Sequence, residues 1–122
     1  MQTVKIGDQE YQMALTVSAA IELMRRYGDI KGAILKLQST ELSEALEETI
    51  RIAGVLIRGG CDHAKLHGED AAPPPDYGDI VCMVFPSDIP ALRAASLAAI
   101  TAGLKREIEA SGDKKKDTKR SR

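Results

Sequence analysis

The sequence predicts a mainly α fold with a short N-terminal β-hairpin, a small single-domain α+β helical bundle. Three observations carry this. The first fifteen residues alternate apolar and polar side chains around Gly7-Asp8. The remainder repeats apolar residues at i, i+3, i+4 and i+7. Its 122 residues suffice for one domain of ordinary size.

In the hairpin, Val4 and Ile6 alternate with Thr3 and Lys5, and Tyr11, Met13 and Leu15 with Gln12 and Ala14. Gly7 supplies the positive φ that a tight turn requires. A two-residue loop pairs Ile6 with Gln9, Lys5 with Glu10 and Val4 with Tyr11. A four-residue loop instead pairs Ile6 with Tyr11 and Val4 with Met13. Both registers keep the apolar set together.

A lone hairpin is marginal in water and must cover something. Ser18 is the expected N-cap of a first helix to Tyr27, with Ala20, Leu23, Met24 and Tyr27 inward and Gly28 at its end. Asp29 caps a short segment, Ile30 to Leu37, with Ile34 and Leu37 inward and Gly32 weakening it. Ser39 or Thr40 opens the clearest helix. Its stripe runs Leu42, Ala45, Leu46, Thr49, Ile50, Ala53, Leu56 and Ile57, and Gly59-Gly60 is expected to stop it.

Cys61 to Tyr77 reads as a break, with Pro73-Pro74-Pro75 in a proline-rich spacer at about 68–76. Asp76 to Phe85 is a short apolar segment whose β-branched residues leave helix and strand both open. Pro86 closes it. Ser87-Asp88 then caps a last long helix with Pro90 near its start and Leu92, Ala95, Ala99, Ala102 and Ile108 among its apolar positions. The domain is expected over residues 1–110 and a basic, disordered tail over 111–122. Gly112 to Arg122 carries six basic and two acidic residues. The chain totals −1, so the body stands at −5.

Composition narrows the function classes. Charged residues make up 29 % and hydrophobic ones 43 %, as in a globular domain. No apolar run reaches the roughly 18–20 residues of a membrane span, so no membrane association is expected. The aromatics are Tyr11, Tyr27, Tyr77 and Phe85, too few for base-stacking platforms. Two cysteines without a signal-peptide pattern suggest free thiols in a reducing compartment.

Cys61, His63 and His67 form the one cluster of ligand-type side chains, with the two histidines at i, i+4. The fuller ligand set of a zinc site is missing, so solvated loop histidines are preferred, and no cofactor or metal is expected. Cys61 near His63 is the only local hint of a nucleophile and base, so no enzyme is expected. Glu41, Glu44, Glu47 and Glu48 make a solvated helix face. Ser18 to Leu37 mimics a helix-turn-helix, but the second helix offers only Lys31 and Lys36 to read bases. Nucleic-acid binding would fall to the tail.

The order of parts resembles the tail assembly chaperones of long-tailed bacteriophages and prophages. The resemblance rests on Thr3-Val4-Lys5-Ile6-Gly7-Asp8-Gln9-Glu10-Tyr11 and on Leu15-Thr16 leading into Ala20-Ile21-Glu22-Leu23-Met24-Arg25-Arg26-Tyr27-Gly28. It continues in Leu42-Ser43-Glu44-Ala45, opening a long helix, and in the helix after Ser87-Asp88-Ile89-Pro90. The spacer and the long basic tail depart from the family pattern. The resemblance implies a non-catalytic protein of the bacterial host cytoplasm, absent from the mature virion, that binds the tape measure protein and keeps it soluble. It also implies that many copies coat the client, so that weak contacts suffice. Family members are made in two lengths by ribosomal frameshifting, for which Lys114-Lys115-Lys116 is a candidate site. The contact surface expected on this basis is the hairpin face (Val4, Ile6, Tyr11) with the long-helix stripe (Leu46, Ile50, Ile57), residues that the core also claims. A generic helical adaptor or small homo-oligomer is the alternative, and a weak nucleic-acid binder the more distant one.

Overall fold

A computed structural model describes the backbone of residues 2–120 and the side chains of residues 2–105. Strands β1 (Gln2–Ile6) and β2 (Gln9–Met13) pair antiparallel with Ile6 opposite Gln9, Lys5 opposite Glu10 and Val4 opposite Tyr11. This is the register of the two-residue loop, with Gly7 at φ 62°. Ile6, Tyr11 and Met13 turn inward, so one hairpin face closes the core.

Helix α1 (Val17–Tyr27) starts one residue before the expected cap: the Thr16 side chain accepts from the Ala19 N–H at 3.2 Å. Its buried residues are Ala19 and Leu23, while Met24 is exposed. Helix α2 (Ile30–Leu37) is capped by Asp29, which accepts from the Gly32 N–H at 2.7 Å, and buries Ala33 and Leu37. Glu41 caps α3 (Leu42–Leu66), accepting from Ser43 and Glu44, where Ser39 or Thr40 was expected. Those two hydrogen bonds and the Ser43 hydroxyl hold the Glu41 carboxyl below its usual range.

The largest correction concerns Gly59-Gly60. They do not stop α3, which continues for six residues past Gly60 to Leu66. An added Cβ on Gly59 would lie 2.4 Å from the Ala14 carbonyl oxygen, and one on Gly60 2.1 Å from that of Gln12. The glycines therefore let the backbone of β2 rest directly on the helix, and the Ala14 N–H donates to the Leu56 carbonyl at 3.0 Å. The break shrinks to the residues between His67 and Asp76, where Pro75 is buried and Pro73 exposed.

Asp76 caps α4 (Tyr77–Met83), accepting from the Asp79 N–H at 2.8 Å, which resolves the open alternative in favour of helix. A 3₁₀ turn, Pro86–Asp88, leads into α5 (Ile89–Arg120), with the Asp88 carboxylate accepting from the Phe85 N–H at 2.8 Å. The backbone of α5 is continuous across residue 111. The side chains on which the tail expectation falls lie outside those described. The core is shared by all layers: Leu23 from α1, Leu37 from α2, Leu56 and Ile57 from α3, Ile80 from α4, and Leu92 and Ile100 from α5 are each almost fully buried. Among the described residues no single helix is long and apolar enough to cross a membrane.

Candidate functional site

The six expected contact residues divide by burial. Ile6, Tyr11, Ile50 and Ile57 are buried in the core, and Val4 and Leu46 pack partly against it. The hairpin packs the expected face on α3 and α5, because a domain this small needs those side chains inside. Leu46 and Ile50 do reach one surface feature, together with residues that the sequence reading left out.

That feature is a groove of about 310 Å³ between the N-terminal half of α3 and the α4–Phe85–Pro86 corner. Ser43, Leu46, Glu47 and Ile50 supply the α3 bank at i, i+3, i+4 and i+7. Tyr77, Val81 and Val84 supply the other at i, i+4 and i+7, with Phe85 and Ile89 at its end. Phe85 is 68 % exposed, and Leu42, one turn before Leu46, is 71 % exposed. An exposed Phe85 continuous with an apolar floor of Leu46, Val81 and Val84 differs from the scattered single apolar residues of an ordinary surface. The groove is acidic at its edges: Glu47 lines it without an ion-pair partner among the described residues, and the exposed Asp88 is hydrogen-bonded at the Phe85 end. The sequence signal was present in Val81, Val84 and Phe85, but only the helical choice for this segment aims them at α3.

Cys61, His63 and His67 do not converge. Cys61 is buried beneath the spacer, its thiol donating to the Ala72 carbonyl at 3.4 Å, and burial pushes that thiol up from its ordinary value. His63 lies two residues on, roughly 200° around the helix, and its ring stacks at 4.2 Å on that of the exposed His67. The His67 Nδ1 engages the His63 carbonyl at 2.9 Å. No three His, Cys, Asp or Glu side chains among the described residues group as a metal site would require.

A polar contact joins α1 to α3 beside the groove's α3 bank. The Tyr27 hydroxyl donates to Glu48. Burial first, then this bond and the charge of Glu48, raise the phenol well above its ordinary value, against a smaller opposing effect of Arg26.

No family model, no curated protein and no solved structure matches the chain.

Proposed function

We propose that this chain is a non-catalytic tail assembly chaperone that binds the tape measure protein of a long-tailed phage or prophage and keeps it soluble during tail assembly. The observation that carries this reading is the open apolar groove between α3 and α4, floored by Leu46, Val81 and Val84 and ended by Phe85. One bank with Leu46 and Ile50 a turn apart on α3, and a second formed by Tyr77 and Val81 of α4 with Val84 just after it, suit the face of an amphipathic helix that offers anchors at i, i+3 or i+4, and i+7. A tape measure protein is a very long, largely helical chain with such faces in succession. The hairpin-plus-helices order and the segments Thr3 to Tyr11 and Ala20 to Gly28 support the same family. Each groove contributes a modest contact, and many copies along one client multiply it.

The test is affinity capture of N-terminally tagged protein from the cell that makes it, with mass spectrometry of what is retained. The reading expects one very long, helix-rich partner, and expects Phe85→Asp, at an exposed position, to lose it. Retention of that partner by Phe85→Asp would move the site elsewhere. Its absence from the wild-type capture would overturn the chaperone assignment.

A further inference from the structure

A second pocket, on the face where α1 crosses α3, gathers arginines in a chain whose body is acidic. It encloses about 270 Å³ and is lined by Arg26 of α1, Arg51 and Arg58 of α3, the Pro74-Pro75 strap and Tyr77. The two helices run antiparallel here, since Glu22 pairs with Arg58 at 2.5 Å and Tyr27 reaches Glu48. One turn along α1 from Glu22 stands Arg26. The corresponding stretch of α3, between Arg58 and Glu48, carries Arg51. Arg26 and Arg51 both line the pocket beyond the Glu22–Arg58 pair.

Two carboxylates also line this pocket, and both are hydrogen-bonded within the chain. Glu22 is bound to Arg58, and Asp76 accepts from the Asp79 N–H as the cap of α4. Arg51 is held instead by the Tyr77 ring, with its guanidinium 4.2 Å from the centroid, and its Nε is closed off from solvent without an acceptor among the described residues. Arg26 stands 5.8 Å from the ring of Tyr27, and its charge acts on the Tyr27–Glu48 contact. The Arg51 Nε, closed off beside the low-dielectric wall of Pro75 and Tyr77, lacks an acceptor among the described residues, and an anion accepting from this guanidinium removes the cost of an unpaired buried donor. Aromatic stacking leaves the guanidinium N–H fork free to donate in its plane, a preorganised arrangement for oxyanions.

We infer that Arg26 and Arg51 form a binding site for a phosphate-class oxyanion, either free phosphate or the phosphate of a small monoester. A tetrahedral dianion presents acceptors to two forks at once, which a single carboxylate does less well. The volume approaches the lower end of small-ligand sites, and the Tyr77 and Pro74-Pro75 walls leave room for a compact organic substituent. This inference does not depend on the chaperone reading, because the pocket shares only Ile50 and Tyr77 with the apolar groove and neither arginine lines that groove.

The experiment is a titration of the full chain with inorganic phosphate and, separately, with phenyl phosphate, each at ionic strength held constant with chloride. It is followed through the arginine Nε–Hε resonances. Saturable shifts at Arg26 and Arg51 are expected, with Arg26→Gln and Arg51→Gln each weakening binding by roughly tenfold or more and Arg25→Gln leaving it unchanged. Tighter phenyl phosphate assigns the site to a monoester, and tighter inorganic phosphate to the free ion. Circular dichroism confirms that each variant is folded. Unsaturable shifts with both probes, or folded Arg26→Gln and Arg51→Gln chains that bind like the wild type, would overturn the site.

Discussion

An added Cβ at Gly60 would lie 2.1 Å from the Gln12 carbonyl oxygen, whereas one at Gly54 would meet only the Ile80 Cδ1, at 3.6 Å. The two positions share a helix and differ only in what approaches them, so they separate packing from propensity. Gly60→Ala forces β2 off the helix and should cost about 1–3 kcal/mol or more in urea unfolding, the range for overpacking a tight contact. Gly54→Ala should be neutral or stabilising by up to about 1 kcal/mol, the helix-propensity gain. Equal effects at both sites would mean that the glycine pair does not seat the hairpin. A read of the sequence alone took the pair for a helix stop, because Gly-Gly after an apolar stripe satisfies that rule locally. The contact that explains it comes from a segment more than forty residues away.

Two titratable residues make predictions at the same scale. The raised Tyr27 phenol binds its proton more tightly in the folded chain than in the unfolded one, where it titrates near 10.0. Its stabilising contribution is therefore complete below pH 10 and is lost as pH rises above it. Chemical denaturation across pH 9–11 should show a steeper alkaline loss for the wild type than for Tyr27→Phe, and parallel curves would contradict the assignment. For the thiols, Cys82 is exposed while Cys61 is buried and shifted up, chiefly by desolvation and only partly offset by Lys65. A thiol reagent at pH 8 should modify Cys82 rapidly and Cys61 only on unfolding, since the thiolate is the reactive form.

At the scale of elements, the caps tell how each helix begins. Thr16 closes α1 with its own side chain, so Thr16→Ala should destabilise by about 0.5–2 kcal/mol and Ser18→Ala, exposed in the first turn, by much less. A reversed order in thermal unfolding would restore the sequence-based placement. The hairpin, the two short helices and the stripe of α3 were legible because each repeats a period of two or 3.6 over enough residues. The segment Tyr77–Met83 was not, since a seven-residue stretch with adjacent β-branched Ile80 and Val81, followed by Val84, fits either state. Tertiary context decides it: the Asp76 cap and the burial of Ile80 select helix. The apolar surface suffered the same ambiguity. A stripe read along α3 contains Ile57, which is core, and Leu46 and the buried Ile50, which also border the groove, and sequence periodicity alone does not divide them.

At the scale of the molecule, the fold spends its apolar residues on one core and leaves an apolar strip on the α3–α4 face, with acidic groups at its edge and a separate arginine pocket beside Tyr77. Leu42, Val81, Met83 and Phe85 stay exposed although a domain of this size gains stability from every apolar side chain it buries. The proposed helical client explains that exposure. The most direct measurement is co-expression of the chain with a phage tape measure protein, the proposed client, scoring how much of the long protein stays in the soluble fraction. The account predicts that the wild type keeps it soluble and that Phe85→Asp and Val81→Asp, each verified as folded, leave it in the pellet. Equal solubility with wild type, groove variants and no chaperone at all would contradict it.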